Sequence, residues 1–281
     1  MYFMNPFAEK GNWYKGNLHT HTINSDGEKS PEETLGIYRR EGYDFLCITD
    51  HNRITEAEEP DSMLFLRGSE KNGIMHIVGL DLKEEFDAEG LPDQQIIDRM
   101  NEQNAVVILA HPYWSGITSR TLLQLNGYSG IEIFNTVCHR LLGKGYSTVH
   151  FDEALQAGKK ILGFASDDSH CVGDIGKGFI MAKAASCAKK DILSSIRKGC
   201  FYSSTGVTVK NLDVADSMIR IDFSPAEYVD FIAFDSAGRR VAAEKGEFEH
   251  AEYSITGNER YIRIEITDGK GRKAWTNPLF P

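Results

Sequence analysis

The chain has little cysteine and none of it is paired in sequence. Its five cysteines, Cys47, Cys138, Cys171, Cys187 and Cys200, are odd in number and form no C-x-x-C spacing, so neither a disulfide framework nor a thiolate metal site is expected. No apolar run approaches the roughly 18 residues that a membrane-spanning helix needs, and Met1 to Phe7 has no basic segment ahead of an apolar one, so no signal peptide is expected there. A reducing, cytoplasmic setting is the expectation. An excess of basic residues is also missing. Lys plus Arg number 31 against 41 Asp plus Glu, a net charge of −10, so long nucleic acid held on a broad basic surface is not expected.

What is present is a globular composition, 41% hydrophobic and 26% charged, on 281 residues. From residue 15 to about 200, short apolar runs alternate with helical patterns in the manner of β/α units. Phe45–Thr49, Val106–Ala110, Ile131–Phe134 and Ile161–Ala165 read as buried strands. Ser30-Pro31-Glu32-Glu33 opens a helix with a capping serine, a first-position proline and acids in the first turn. Pro92-Asp93 opens another through Ile96, Ile97 and Met100, and a third runs from Lys189 to Lys198 before Gly199. After Gly206 the texture becomes β-like, with strands over Met218–Phe223, Val229–Phe234 and Tyr261–Ile266. The expected organisation is a β/α unit over 12–206 and a small antiparallel β module over 207–281.

Metal-ligating residue types stand at the ends of the expected strands. Strand one finishes as Leu18-His19-Thr20-His21, with Asp26-Gly27 after it, and strand two as Thr49-Asp50-His51-Asn52. Glu70 follows Met63–Arg67, His76 precedes Ile77–Leu80, His111 follows Val106–Ala110, and Asp167-Asp168-Ser169-His170 follows Ile161–Ala165. In a parallel β/α architecture these ends gather on one face. His-x-His on a strand turns both imidazoles to the same side. Imidazole plus carboxylate without thiolate suits Zn, Mn or Fe ions, and a carboxylate such as Glu70 can bridge two of them. Taken singly, each element has a plain structural reading: His111-Pro112 and Asp26-Gly27 as turns, Asp167-Asp168 as a cap. Their joint occurrence at five strand ends points to a metal centre, whereas His139, His150 and His250 stand outside the pattern.

These residues resemble the motifs of the PHP (polymerase and histidinol phosphatase) metal-dependent phosphoesterases: His19-Thr-His21, Asp26-Gly27, Thr49-Asp50-His51-Asn52, Gly68-Ser-Glu70, His76, Ala110-His111-Pro112, Glu132 with Asn135, and Asp168-Ser-His170. Phe201–Gly206 and Ala274–Pro278 resemble a stand-alone branch that ends in a small β-sandwich and includes carbaryl-type hydrolases. The resemblance implies a distorted (β/α)7 barrel followed by an antiparallel β-sandwich, with a site for two to three divalent transition metals. It implies His19, His21, Glu70 and Asp168 around the first ion, Glu70, His76 and His111 around the second, and Asp26, His51 and His170 around the third. Asp50 is expected behind a ligand imidazole, Glu132 and Asn135 along the rim, and Asp168, Glu70 and His170 in catalysis.

The activity implied is hydrolysis of a small phosphate mono- or diester by a metal-bound hydroxide. Carboxylic or carbamate ester hydrolysis is the alternative, and a non-catalytic metal-stabilised sensor or partner-binding protein is the alternative of another class. Arg53, Arg120, Arg140, Lys144 and Lys177 are the candidate phosphate contacts, and Tyr113 and Trp114 the candidate ring-stacking residues.

Overall fold

The computed structural model describes residue 3, residues 5–58 and residues 63–281. The first part of the chain runs β1 (Asn12–Asn17), α1 (Pro31–Arg40), β2 (Phe45–Ile48), β3 (Leu64–Asn72), β4 (His76–Leu80), α2 (Asp93–Glu102), β5 (Val106–Leu109), α3 (Ser119–Gln124), β6 (Gly130–Asn135), α4 (Thr136–Leu142), α5 (Thr148–Gln156), β7 (Leu162–Ser166), β8 (Phe179–Ala184), α6 (Lys189–Arg197) and β9 (Phe201–Ser204). The expected strands and helices form. Ser30 caps α1 in a reciprocal capping box with Glu33, which satisfies donors that the first turn would otherwise leave open. On α2, Ile96, Ile97 and Met100 are the buried apolar face.

Strands β1 to β7 lie side by side in chain order within a mixed sheet. β1–β2–β3 and β5–β6–β7 are parallel, but β4 runs antiparallel to both its neighbours. This corrects the reading of uniform β/α alternation: β3 and β4 are joined by a short turn, too short for the crossover that a parallel pair requires. Beyond β1 and β7, the two strand continuations meet. Thr20 bridges Ser169, Asp168 N donates to His19 O at 3.0 Å, and His21 N donates to Ser169 O at 2.9 Å. Strand β1 therefore stops at Asn17, earlier than expected, because His19 to His21 pairs with the continuation of the last strand in this series.

The remaining strands are β10 (Val209–Ala215), β11 (Met218–Ala226), β12 (Tyr228–Ala233), β13 (Gly238–Ala242), β14 (Phe248–Ser254), β15 (Ile262–Thr267) and β16 (Lys273–Thr276). β10, β11 and β14 form a three-stranded antiparallel sheet, while β12, β13, β15 and β16 extend the main sheet through the pairing of β16 with β9. Ile219, Ile221 and Phe223 of β11 share an apolar core with Val229 and Phe231 of β12 and Ile264 and Ile266 of β15. Contacts with the first part of the chain are polar as well as apolar. Buried Arg263 donates from Nε and Nη2 to Asp152 on α5 at 2.6 and 2.7 Å, and Trp275 stacks on Phe134 of β6 with centroids 6.1 Å apart.

Candidate metal centre

The rim formed by the ends of β1, β2, β5 and β7 and by the β3–β4 hairpin collects nine ligand-type side chains. Glu70 lies inside β3, and the hairpin turns β4 back so that His76, its first residue, reaches the same rim that the other strands reach with their last. Asn72 pairs with His76, and His76 Nδ1 stands 2.9 Å from Glu70 Oε1. His111 and Asp168 both hold left-handed backbone, at φ 30° and 52°, which turns their side chains inward at the point where each strand ends.

Donor atoms converge at short range. His19 Nε2 lies 3.3 Å from Glu70 Oε2, 3.2 Å from Asp168 Oδ1 and 3.1 Å from His21 Nε2. His21 Nε2 lies 3.3 Å from the same Glu70 oxygen and 3.1 Å from the same Asp168 oxygen. On one side, His111 Nε2 and His76 Nδ1 approach Glu70 Oε1 at 3.2 and 2.9 Å. On the other, Asp26 Oδ2 is 3.3 Å from His170 Nε2 and 3.5 Å from His51 Nε2, whose Nδ1 is 3.0 Å from Glu70 Oε2. Ligands about 2.1 Å from a shared ion stand about 3.0–3.4 Å from one another in octahedral or tetrahedral arrangement, and these separations match. Buried His51 Nδ1 and Asp168 Oδ1 make no hydrogen bond despite such close neighbours, and the facing imidazole nitrogens of His19 and His21 suit a common cation better than each other. The donor set fits divalent metals.

Four overlapping groups have the geometry to hold an ion: His21 with Asp26, His51 and His170; His19 with His111 and Asp168; His19 with His21 and Glu70; and His51 with Glu70 and His76. All nine sequence-predicted positions are brought together, and Glu70 touches five of the imidazoles. His139, His150 and His250 take no part in these groups. His150 instead bonds the Ile117 carbonyl, and His250 pairs with Asp222 at the surface.

The electrostatics follow from enclosure. Burial alone would lower the pKa of His19, but Asp168, Glu70 and Glu132 hold it well above the ordinary imidazole value. His21, equally opposed by burial, is raised to about 9 by Asp168 and Glu70. Burial would raise Glu70, yet the imidazoles of His19, His111 and His21 hold it well below the usual carboxylate range, and His19 and His21 do the same for Asp168. Cations entering this cluster displace protons from imidazole.

The supporting shell departs from expectation at two residues. Asp50 touches no imidazole: it accepts from Thr22 N, Thr22 Oγ1 and Ser25 Oγ, each at 2.7 Å, and from Thr55. It reaches His21 only through Ser25, whose Oγ is 3.3 Å from His21 Nδ1. Glu132, expected only along the rim, is buried and carries the imidazole contact, its Oε1 2.7 Å from His19 Nδ1. Its Oε2 accepts from His111 N at 3.0 Å and from Asn135 Nδ2 at 2.9 Å, and that same amide nitrogen is 3.0 Å from Asp168 Oδ2. The available sequence signal was a lone carboxylate between Ile131 and Ile133, on the face of β6 opposite those two core residues. Ser115, 3.1 Å from His111 Nδ1, was missed. Of the five candidate phosphate contacts, Arg140 lines the cavity above the centre together with Trp114.

This fold has relatives. A crystal structure of a two-domain protein from Bacteroides vulgatus, containing a predicted PHP-like metal-dependent phosphoesterase, superposes with a TM-score of 0.58 at 14% identity, covering 95% of this chain and 94% of that one. No family model matches the sequence. The fold is thus PHP-like, and the residues that resemble the PHP motifs are gathered at one rim of it. In sequence it belongs with the uncharacterised protein MJ1587 of Methanocaldococcus jannaschii, to which it is 30% identical over 146 residues, 43% of this chain and 81% of that protein. A second uncharacterised protein of that organism, MJ0417, is 26% identical over 64% of this chain and 75% of its own length.

Proposed function

We propose that this chain is a metal-dependent hydrolase, and specifically a phosphoesterase acting on a small phosphate mono- or diester. The observation that carries the reading is the position of Glu70 between imidazoles on both sides, with donor separations suited to shared ions. In this reading His19, His21, Glu70 and Asp168 hold the first of two to three ions, Glu70, His76 and His111 the second, and Asp26, His51 and His170 the third. Such ions supply Lewis acidity toward phosphoryl oxygens and lower the pKa of water; Mn, Fe or Zn suits this donor set.

The chain's own residues prepare that chemistry. His170 Nδ1–H donates to the Asp168 carbonyl at 2.8 Å, which leaves the Nε2 lone pair facing Asp26. Glu132 accepts from His19 Nδ1 and leaves its Nε2 free in the same way. Glu70 and Asp168, held ionised, keep the centre able to take several cations. Hydrolysis joins the oxygen of water to phosphorus and breaks the bond to the alcohol, which leaves with one proton.

The acidic chain favours a small substrate over a long polyanion. All five cysteines are free, which suits a reducing, cytoplasmic setting. Among the described residues, no helix is long and apolar enough to cross a membrane.

The deciding experiment compares ester classes on metal-loaded protein. Nitrophenyl phosphate should be cleaved with higher kcat/KM than nitrophenyl acetate or aryl carbamates. Asp26→Asn should damage the phosphate reaction far more than any carboxyl-ester activity, because phosphorus chemistry stabilises charge on several oxygens and carbonyl chemistry on one. Carbamates as the better substrates, spared by Asp26→Asn, would replace this reading with carbamate hydrolysis.

A further inference from the structure

The cavity over the centre has an organic side that the metal chemistry does not explain. It has a volume of about 300 Å³, and beside the ligand-type residues it is lined by Trp114, in the loop after β5, and by Val137 and Leu141 on α4. Leu141 is 57% exposed and Trp114 37%, so two large apolar side chains face solvent at the mouth of a polar site. Trp114 lies edge-on to His111 with centroids 5.0 Å apart, and is held beside the ligands rather than free to fold away. Exposed apolar surface grouped at one cavity gains stability when a ligand covers it. A sugar or polyol placed there would lose water from its hydroxyls against an aliphatic wall.

One cation stands on the same helix. Arg140 donates from Nε to Asp174 Oδ1 at 2.7 Å, and Asp174 is fully buried, its other oxygen accepting from the backbone of His170 and Cys171 at 3.1 Å each. The guanidinium is thereby fixed to the loop that carries His170. Among the described residues, Nη1 and Nη2 of Arg140 have no hydrogen-bonding partner. A tethered guanidinium with two open donor groups is suited to oxygens of a phosphoryl group.

We propose that the site takes a phosphate monoester of an apolar, phenyl-sized alcohol, with Arg140 on the phosphoryl oxygens and Trp114, Val137 and Leu141 around the organic group. This rests on the phosphoesterase reading and narrows its substrate class. Arg140 is the specificity residue for the anion, and Asp174 positions it.

The test measures kcat and KM for phenyl phosphate, glycerol 3-phosphate, a nucleoside monophosphate and phenyl acetate, and calorimetric binding of benzylphosphonate and methylphosphonate to the metal-loaded wild-type chain. Phenyl phosphate should exceed both polar phosphates in kcat/KM, and benzylphosphonate should bind more tightly than methylphosphonate, each by about tenfold or more, the worth of burying a ring. Leu141→Ser should shrink that preference. Arg140→Gln should raise KM for phenyl phosphate by about tenfold or more with phenyl acetate unaffected, and Arg140→Lys should recover part of the loss. Phosphate turnover that favours glycerol 3-phosphate or the nucleotide, or equal binding of the two phosphonates, overturns the inference and leaves the phosphoesterase standing. Turnover of phenyl acetate alone overturns both.

Discussion

Glu132 and His19, both buried, are joined at 2.7 Å between Oε1 and Nδ1, and this pairing fixes which nitrogen of His19 faces the cluster around Glu70. A carboxylate in this position sets the tautomer and raises the basicity of the imidazole. Glu132→Gln should therefore lower metal affinity by about 10–100-fold, measured by competition with a chromogenic chelator. Asp50→Asn, which acts only through Ser25, should cost less. Equal affinities for the parent and Glu132→Gln would show that Glu132 does not tune the ligand.

Metal content checks the site directly. Elemental analysis of protein purified without chelator should find two to three transition ions per chain, since the donor atoms form four overlapping groups, two of which share Glu70. His19→Ala and Asp168→Ala should lower occupancy and abolish turnover. His250→Ala should change neither, because His250 lies on the exposed face of β14 against Asp222. Less than one ion per chain after gentle metal loading would remove the site hypothesis.

Arg263 ties β15 to α5 through two hydrogen bonds to Asp152 from a nearly fully buried guanidinium. Arg263→Ala removes both hydrogen bonds to Asp152 and leaves Glu265 with Lys273 alone, and should lower stability by about 3 kcal/mol. The expected readout is a fall of several degrees in Tm with metal content unchanged. Truncation at Gly206 removes this tie together with Trp275 and uncovers β9, so it should yield insoluble chain. A truncated chain as soluble and heat-stable as the parent would show that the two parts stand alone.

Glu259 supplies an acid-dependent term. Burial would raise its carboxyl, but Thr256 N, Tyr253 Oη and Thr256 Oγ1 donate to it and hold it down to about 2. A folded value below the unfolded one means that the stabilisation is complete above the ordinary carboxyl range near pH 4.5 and is lost as pH falls toward 2. Glu259→Gln should lower Tm at pH 7 and flatten the loss of stability between those limits. An unchanged acid limb of the stability curve would contradict the assignment.

The nine ligand-type residues were legible because imidazoles and carboxylates ended apolar runs, where a β/α fold gathers its strand ends. Asp50 was misread for a geometric reason. Its neighbour His51 faces the cluster, and successive side chains of an extended segment point to opposite sides, so adjacency carried Asp50 away from the imidazoles. Glu132 was underestimated because it lies within the run Ile131–Phe134 instead of at its end. The reversal of β4 was legible in Asn72-Gly73, the dipeptide that favours tight hairpins, between the apolar runs of β3 and β4, although the surrounding β/α alternation spoke for a parallel strand. In the last third of the chain the alternating pattern located β11, β12 and β15 but not β10, β13, β14 or β16, and periodicity does not name partners. The pairing of Trp275 with Ser203 spans about seventy residues of sequence.

The left-handed backbone at His111 and Asp168 separates what the fold wants from what the site wants. Each costs on the order of 1 kcal/mol for a residue with a side chain, and glycine would hold either conformation freely. A library screened for thermal survival alone, in the presence of chelator, should thus drift toward glycine at these two positions. The same library screened with metal present should keep histidine and aspartate, so the two selections would part company at the places where the strands turn inward.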